Sequence, residues 1–411
     1  MERREPEAAD TEAAAPEILG NVPGSFPWGV WHDRHPALVE RLLHATPYGP
    51  GERQALRDLL AETLDGVIQP LPASARDREL WHGDWDRGHF GKRWTDAPFL
   101  WAESYFYRRL REALGYSVPG PWRGIDPFAP MKDAELAGDT VDGELAALDG
   151  GSGPGGRSPD ELSPDERTDA LVLAALWGNR ADLGFRITGG EPGAGGAESL
   201  VADERPALRE LLRAAGERRG RIVLVADNAG RELIPDLLLI DHLLLTGAAA
   251  EVALHVKPHP YYVSDATTAD VLAGLRRLVA APGTAGETGR RLWEAMSTGR
   301  LAVRAHAFSC APLTYAAMPG DLRADFGTAA LTIFKGDLNY RRLVGDRDWP
   351  ATIPFAEVTG YFPGPVAALR TLKSDVVTGL GRRVLDTLDA GGAADGAWRT
   401  DGSRALVQVR P

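Results

Sequence analysis

The residues of this sequence that could do chemistry begin in VLVADNAGRE, Val223 to Glu232. A β-branched apolar run ends there in a carboxylate and a carboxamide, Asp227 and Asn228, with Gly230 in the following turn. In open α/β sheets, ligands bind outside the carboxyl ends of the strands. Oxygen ligands of this kind suit Mg²⁺ or Mn²⁺ better than zinc. Asp and Asn are also preferred N-cap residues, so this segment alone is equally consistent with a helix cap without chemistry.

A second polar strand end strengthens the metal interpretation. The strand-like run Glu251–Val256 leads into Lys257 and then Asp265, which lies about one strand–helix–strand unit after Asp227. Neighbouring parallel strands present their carboxyl ends at the same sheet edge. We therefore expect Asp227, Asn228 and Asp265 to share one divalent cation, with water completing its shell. Lys257 could neutralise a bound phosphate as a compact charge, or it could be an ordinary solvated lysine.

Two further polar segments lie in the last third of the chain, FKGDLNYRRL from Phe334 and LRTLKSD from Leu369. The candidate residues that they carry are Lys335, Asp337, Asn339, Tyr340, Arg341, Arg370, Thr371 and Lys373. Arg370 and Lys373 are three residues apart on a predicted helix, Val366–Leu380, and would share one face that could hold anionic oxygens. Alone, each segment is more typical of a polar loop or helix surface. Glu103 and Arg108 likewise fit a core helix with one solvated face.

The elements that must position these residues divide the chain in two. Apolar residues at helical spacing predict helices at Pro36–Leu43, Gln54–Val67 and Phe99–Leu114, with no alternating strand between them. The composition of residues 1–17 predicts a disordered tail. We assign residues 18–164 to a helical domain ending in a Gly/Pro-rich loop, and 165–411 to an α/β catalytic domain.

The second part alternates strands and helices. Helices are predicted at Asp165–Trp177, with a capped start near Ser163, and at Arg231–Leu245. Strands are predicted at Arg221–Ala226, Glu251–Val256, Ala302–Val303, Ile333–Phe334 and Arg404–Val409. The strands carry few polar residues, which is typical of a parallel sheet covered on both faces. The predicted fold is α/β, a three-layer α/β/α Rossmann-like sandwich with an N-terminal all-helical domain. The stretches Asp149–Asp165 and Gly189–Gly196 are predicted loops.

Composition excludes several classes of protein. The 411 residues carry a formal net charge of −12, which gives no electrostatic reason to bind nucleic acid or an anionic membrane. The single cysteine, Cys310, excludes an intrachain disulfide and a Cys-based zinc cluster. No signal peptide is visible, and the longest apolar stretch, Leu237–Leu245, is far shorter than the ~20 residues of a membrane span. HExxH and GxxxxGK[ST] motifs are absent from the sequence. We expect a cytoplasmic protein.

Taken together, these segments resemble the damage-control phosphatases, specifically the acidic residue methyltransferase-like subfamily (subfamily III) with its RTxK motif. The resemblance covers about residues 20–385, in matching order and spacing. It is carried by DNAGRE (Asp227–Glu232), KPHPYYVSD (Lys257–Asp265), GDLNYR (Gly336–Arg341), RTLK (Arg370–Lys373), WAESYFYRR (Trp101–Arg109) and LWGNRADL (Leu176–Leu183). The departures from the family are the two Gly/Pro-rich insertions and the acidic N-terminal tail.

The resemblance implies a metal-dependent phosphatase that acts on small phosphorylated metabolites, including sugar phosphates such as fructose 1-phosphate. It implies Asp227, Asn228 and Asp265 as catalytic metal ligands for Mn²⁺, Mg²⁺, Co²⁺ or Ni²⁺. With the residues singled out above, the candidate substrate-binding set is Glu103, Lys257, Asp337, Leu338, Asn339, Tyr340, Arg341, Arg370 and Lys373.

Alternatives stay open at this point. The attacking group is either a water activated by the ion, which we favour, or Asp227 itself. One branch of the family is described as methylating protein carboxylates from S-adenosylmethionine, which implies a methyl-donor position at Glu232, although no glycine-rich loop for that donor follows a strand. The third alternative is a phosphosugar-binding protein without catalysis. The motifs do not determine the physiological substrate, the native metal or the oligomeric state.

Overall fold

The computed structural model describes residues 15–149, 162–178, 199–390 and 394–411. Most of the predicted tail, most of the predicted loop Asp149–Asp165, the stretch Gly189–Gly196 and the second half of LWGNRADL lie outside the described residues. The last three residues of the predicted tail are part of the fold. Glu17 forms a bridge pair with Arg347, and the main-chain oxygen of Ala15 accepts a hydrogen bond of 2.8 Å from Arg347.

Seven strands within the described residues form one sheet in the order β1-β7-β6-β5-β2-β3-β4. They are β1 (Leu200–Asp203), β2 (Arg221–Val225), β3 (Glu251–Val256), β4 (Leu301–Ala305), β5 (Leu331–Lys335), β6 (Val366–Thr371) and β7 (Ala405–Arg410). Strands β6, β5, β2, β3 and β4 are mutually parallel, and β7 runs antiparallel to β6. The carboxyl ends of five strands therefore meet at one edge of the sheet.

The helices of the described residues surround this sheet. The α-helices are α1 (Phe26–Gly29), α2 (His35–Ala45), α3 (Pro50–Asp65), α4 (Arg78–His82), α5 (Phe99–Ala113), α6 (Ala129–Leu136), α7 (Asp139–Ala147), α8 (Pro164–Trp177), α9 (Arg205–Glu217), α10 (Leu233–Leu245), α11 (Thr268–Ala280), α12 (Gly283–Ser297), α13 (Gly320–Gly327), α14 (Asp337–Val344), α15 (Phe355–Val358) and α16 (Arg382–Ala390). Helix α8 begins with the predicted cap, because Ser163 and Glu166 form a reciprocal capping box.

Both faces of the sheet are buried, and this confirms the three-layer prediction. Along β2, Val223 and Val225 belong to one apolar core and Ile222 and Leu224 to another, as alternation along a strand requires. The first core also contains Trp31 and other aromatic residues of the N-terminal helices. The second core contains residues of α7, α8, α9, α10, α11 and α12. Helices α2 to α5 therefore contribute to the first core, and α7 contributes to the second.

The predicted late helix Val366–Leu380 is wrong. Residues Val366–Thr371 form strand β6, which lies between β5 and β7 and is buried along its whole length. A short apolar run bounded by turn residues fits a buried strand as well as a buried helix, and periodicity alone does not separate the two. Arg370 therefore lies in a strand and Lys373 follows it, so the two do not share a helix face. Strand β1 was not predicted from the sequence.

The other predicted elements are confirmed to within a few residues. Strand β3 has the predicted bounds, Glu251–Val256, and the predicted helix from Arg231 begins as a 3₁₀ turn, Gly230–Glu232, before α10. None of the described helices combines the length and the apolar composition that crossing a membrane requires.

Helix α10 gives a direct test of the packing. Leu237 is 0% exposed within the second core, whereas Leu245, at the end of the same helix, is 66% exposed. Leu237→Ala should lower the free energy of unfolding by roughly 2–5 kcal/mol, and Leu245→Ala should change it by less than about 0.5 kcal/mol. Urea denaturation of both variants measures the difference. Equal losses would contradict the assigned core.

Candidate active site

The structure brings the two predicted strand ends together. Strands β2 and β3 are neighbours in register, and the loops that follow them are joined by main-chain hydrogen bonds. The N–H of Ala266 donates to the main-chain oxygen of Asp227 at 2.9 Å, and the N–H of Ala229 donates to that of Ser264 at 2.7 Å. Asn228 and Asp265 form an isolated bridge pair. The three predicted metal ligands therefore lie on two loops that are tied to each other.

Asp227 is buried, and its carboxyl group lies against Gly336 at the start of α14. A Cβ atom on residue 336 would be 1.9 Å from Asp227 Cγ, and φ at Gly336 is +85°, a left-handed conformation that favours glycine. Burial raises the pKa of Asp227 well above its usual range, and the nearby carboxylates of Glu232 and Asp265 raise it further. Lys373 and Lys335 oppose this shift.

Asn228 links Asp227 to Glu232. Its Nδ2 donates to Asp227 Oδ2 at 3.2 Å and to Glu232 Oε2 at 3.0 Å, while its Oδ1 accepts a 2.7 Å hydrogen bond from the Ser264 hydroxyl. Glu232 also packs on Gly178 at the end of α8, where a Cβ atom would lie 2.3 Å from Glu232 Cγ. Glu232, the possible methyl-donor position, is therefore part of the acidic cluster around Asn228.

One carboxylate oxygen of Asp265 accepts no hydrogen bond. Its Oδ1 is buried and has no hydrogen-bond partner; Lys257 Nζ lies 3.4 Å away, as an ion pair that is not aligned as a hydrogen bond. The same ammonium donates to the main-chain oxygen of Ser309 at 3.2 Å. Lys257 is itself buried, so the alternative of an ordinary solvated lysine is wrong.

These donors fit a cation that prefers oxygen ligands. Within the described residues no group of three or more His, Cys, Asp or Glu side chains is placed to hold a metal ion, so a site here depends on the Asn228 carboxamide as the third ligand. The unbonded Asp265 Oδ1 and the adjacent Asp227 carboxylate offer the charge that such an ion needs. Coordination through Asn228 Oδ1 requires its amide to turn, after which Nδ2 would face the Ser264 hydroxyl.

Arg370 and Asp337 form the side of the site opposite β3. Arg370 is fully buried in β6, and its guanidinium contacts Asp337 Oδ1 at 2.7 and 2.8 Å and lies 4.3 Å from the ring centroid of Tyr340. Burial alone would raise the pKa of Asp337, but Arg370 and Arg341 outweigh burial and hold that pKa below its usual value. The main-chain N–H of Lys373 donates to the same Asp337 oxygen at 3.3 Å. Arg370 therefore fixes the first turn of α14.

Asn339 joins the ends of two strands. Its Nδ2 donates to the main-chain oxygens of Ala226 at 2.9 Å and Lys335 at 2.8 Å. Its Oδ1 is buried and has no hydrogen-bond partner. The amide nitrogen of Asn339 is thus engaged by two main-chain oxygens, whereas its Oδ1 can still accept a hydrogen bond from a ligand.

Leu338 and Tyr340 are packed into the interior. Leu338 belongs to a small apolar cluster with Tyr261. The hydroxyl of Tyr340 lies 2.8 Å from the Thr378 hydroxyl and donates to Gln408 Oε1 at 2.9 Å. The structure brings both residues next to the site but gives neither an exposed polar atom, so they shape its walls.

Glu103 and Arg341 are brought together across the boundary between α5 and α14. Arg341 makes a two-point ion pair with Asp346, at 2.6 and 3.0 Å, and its Nη1 contacts Glu103 Oε2 at 3.3 Å. The hydroxyl of Tyr262 donates to the same Glu103 oxygen at 3.2 Å. Burial raises the pKa of Glu103 to about 7, although Arg341 opposes the shift. Arg341 is thus largely neutralised by its protein partners.

Sequence reasoning missed two residues next to this cluster, Asp236 and Lys132, and assigned no role to Lys335. Lys335 and Asp236 form a buried ion pair of 2.7 Å, and the charge of Lys335 acts on Asp227. An aspartate within the apolar run of α10 could have indicated a buried ion pair, because buried carboxylates are nearly always paired. Lys132, on α6, donates to the main-chain oxygen of Asp265 at 3.0 Å, and nothing in its segment MKDAEL distinguishes it from an exposed lysine.

Comparisons of this sequence with a family model and with the sequences of known proteins agree on one family. The family model described as the damage-control phosphatase ARMT1-like domain matches residues 30–387. Proteins named damage-control phosphatase ARMT1 are 31% identical in Mus musculus, covering 94% of this chain and 96% of theirs, and 32% identical in Homo sapiens, covering 95% and 97%. The crystal structure of a DUF89 family protein from Pyrococcus horikoshii aligns with a TM-score of 0.48 at 14% identity, over 85% of this chain and 92% of that one.

Gly336 tests the packing of the Asp227 carboxylate. Gly336→Ala puts a methyl group onto that carboxylate, whereas Gly345→Ala has a similar φ of +79° and meets no atom within 4 Å. Both variants carry the backbone strain of a left-handed alanine, about 1–2 kcal/mol. We expect Gly336→Ala to lose roughly a further 1–3 kcal/mol from overpacking, measured by urea denaturation. Similar losses in the two variants would show that Asp227 does not lie against residue 336.

The raised pKa of Glu103 predicts how stability depends on pH. Because its pKa is about 7 when folded and 4.5 for an ordinary glutamate, the folded state holds an extra proton between these values. The wild type should therefore lose stability relative to Glu103→Gln as the pH rises from 5 to 8, by on the order of 1–3 kcal/mol.

Unfolding free energies at several pH values measure this difference. Glu210→Gln, at an exposed glutamate, is the control and should run parallel to the wild type. A parallel profile for Glu103→Gln would refute the raised pKa.

Proposed function

The chain belongs to the damage-control phosphatase ARMT1-like family, and from that premise we propose that it hydrolyses small phosphomonoesters with the help of a divalent cation. Sugar phosphates such as fructose 1-phosphate are the proposed substrate class. The observation that carries the proposal is the buried, unbonded Oδ1 of Asp265 on a loop hydrogen-bonded to the loop of Asp227. A positive charge stabilises the ionised form of two carboxylates that are buried near each other.

The proposed cation ligands are Asp227, Asn228 and Asp265. When bound, a Mn²⁺, Mg²⁺, Co²⁺ or Ni²⁺ ion would supply Lewis-acid stabilisation of the phosphoryl oxygens. Asp227 and Asp265 provide the negative charge that holds it. Before a cation binds, Asn228 Nδ2 donates to Glu232 at 3.0 Å, and this hydrogen bond is given up when the amide turns to present Oδ1.

The positively charged side chains proposed to bind the phosphate are those of Lys373 and Lys257. Lys373 acts on Asp227 and makes no side-chain ion pair with any described residue. Lys257 lies beside Asp265, without an aligned hydrogen bond to it, and could turn its ammonium to an anion. Arg370 and Arg341 were candidates as well, but Asp337 and Asp346 occupy their guanidinium groups. We therefore assign these two arginines to positioning.

The organic part of the substrate is proposed to lie near the start of α14. Every hydrogen bond of the Asp337 side chain to a described residue is made by Oδ1, which leaves Oδ2 for a substrate hydroxyl. Asn339 Oδ1 is a second free acceptor. Glu103 is held by Arg341 and Tyr262 through Oε2 alone, so its Oε1 is a third group that can hydrogen-bond a substrate hydroxyl.

Water is the proposed attacking group. Its oxygen bonds to phosphorus while the bond from phosphorus to the sugar oxygen breaks, and the proton released by the water ends on the departing sugar oxygen. Asp227 is less suited to attack, because its carboxyl group is packed against Gly336 and a carboxylate that binds a cation is a weaker nucleophile. Its role is to hold the cation.

Asp227→Ala tests this proposal. The variant should lose at least about 10³-fold in phosphate release, because it removes a cation ligand, while circular dichroism and melting temperature show a folded chain. Phosphate release is measured on a panel of sugar phosphates with Mn²⁺, Co²⁺ or Ni²⁺ and with chelator. Asp65→Ala, at an exposed aspartate, is the control and should keep full activity.

The same samples separate the alternatives. Full activity of Asp227→Ala, or of the wild type in chelator, would refute the metal-dependent site. Methyl transfer from labelled S-adenosylmethionine without phosphate release would favour the methyltransferase, and binding of sugar phosphate without turnover would favour a binding protein.

A further inference from the structure

Lys132 lies outside every motif of the site, yet it contacts the loop that carries Asp265. We propose that Lys132 is a positioning residue through which the helical part of the chain fixes Asp265 for cation binding. This inference rests on the proposed cation site.

Three oxygens surround the Lys132 ammonium. Nζ donates to Asp126 Oδ2 at 2.9 Å, to Asp270 Oδ2 at 3.0 Å and to the main-chain oxygen of Asp265 at 3.0 Å. An ammonium has three N–H donors, so each is used. These three acceptors come from the loop before α6, from the first turn of α11 and from the Asp265 loop itself.

Burial gives these contacts their importance. Lys132 is 4% exposed, and its ammonium forms ion pairs with Asp126 at 2.9 Å and with Asp270 at 3.0 Å. Removing it would leave two carboxylates and a carbonyl oxygen facing one another without the positive charge that lies between them, which favours their separation.

Asp270 ties the same ammonium to the helix after the loop. Its Oδ2 also accepts hydrogen bonds from the main-chain N–H and the hydroxyl of Thr267, at 2.8 and 2.7 Å, and so caps α11. Asp265 therefore lies two residues before Thr267, the N-cap residue of α11. Lys132 binds the Asp270 carboxylate that completes this cap. The ammonium restrains the loop on both sides of Ala266.

The same helix, α6, also lies against the other metal-binding loop. Gly230 has φ of +66°, and a Cβ atom there would be 2.8 Å from Glu135 Oε2 and 3.4 Å from the main-chain oxygen of Lys132. The left-handed backbone favours glycine at this position of the DNAG motif, and α6 leaves little space there for a larger residue. One helix from the N-terminal part contacts both loops that carry the proposed ligands.

Removal of Lys132 should loosen the Asp265 loop without unfolding it. The N–H of Ala266 would still donate to Asp227, and that of Lys257 to Ala266. The side-chain carboxylate of Asp265 does not touch Lys132, so the ligand itself is unchanged. The expected consequence is a weaker cation site on an otherwise intact fold.

Lys132→Met tests the proposal by calorimetric titration of the metal-free protein with Mn²⁺. We expect binding to weaken by about 10–100-fold, as is typical when a group that orients a ligand is removed. Hydrogen exchange followed by mass spectrometry, without metal, should show faster exchange in residues 261–270. Lys132→Arg keeps the charge but cannot place three donors from one atom, and an intermediate loss of affinity is expected.

Arg108→Met is the matched control. Arg108 is 1% exposed and is also held by two carboxylates, Asp77 at 2.6 Å and Glu112 at 2.8 Å, and none of its hydrogen bonds reaches a proposed ligand. Its melting temperature should fall like that of Lys132→Met, while its Mn²⁺ affinity and the exchange of residues 261–270 should match the wild type.

The outcomes distinguish this inference from the proposed function. Mn²⁺ affinity within two-fold of the wild type in Lys132→Met, with Asp265→Asn unable to bind, would overturn the role of Lys132 alone. If Lys132→Met does not fold, an unchanged affinity in Lys132→Arg would overturn it equally. A wild-type chain that binds no Mn²⁺ would overturn both the cation site and this inference.

Discussion

The burial of two carboxylates at one edge of the sheet is the constraint on which the rest of this structure depends. Asp227 and Asp265 follow adjacent parallel strands, and main-chain hydrogen bonds between their loops keep them from moving apart. Like charges close together and away from water favour a retained proton or a bound cation. Burial and the neighbouring carboxylates of Glu232 and Asp265 raise the pKa of Asp227. A bound divalent cation would stabilise the charged form of these carboxylates.

Lysines from four separate parts of the chain surround this acidic point. Lys257 follows β3, Lys335 ends β5, Lys373 follows β6, and Lys132 comes from the N-terminal helices. A cluster of one sign of charge is thus balanced by residues that are distant in sequence. The N-terminal helices share a core with the sheet and contribute to this balance. Lys132 connects these helices to the proposed site through its hydrogen bond to the main-chain oxygen of Asp265.

Local sequence signals predicted the strands and the polar residues at their ends. The buried runs of β2 and β3 end in hard oxygen donors, and parallel pairing then brings Asp227, Asn228 and Asp265 to one edge. The same kind of signal failed at Val366–Thr371, because an apolar run of six residues carries no period that separates a buried strand from a helix. Lys132 and Asp236 were missed because their partners lie far away in the chain.

The sequence by itself determined the fold class, the family and the chemical type of the candidate ligands, since these follow from short patterns of apolar and oxygen-bearing residues. Only the tertiary structure decided which positively charged side chains are available to bind a phosphate. Arg341, Arg370 and Lys373 look equivalent in their motifs, yet Asp346 and Asp337 neutralise the two arginines, while Lys373 makes no side-chain ion pair with a described residue. The reason is physical: the interaction of charges depends on their distance and burial, and folding sets both for residues that the sequence keeps apart.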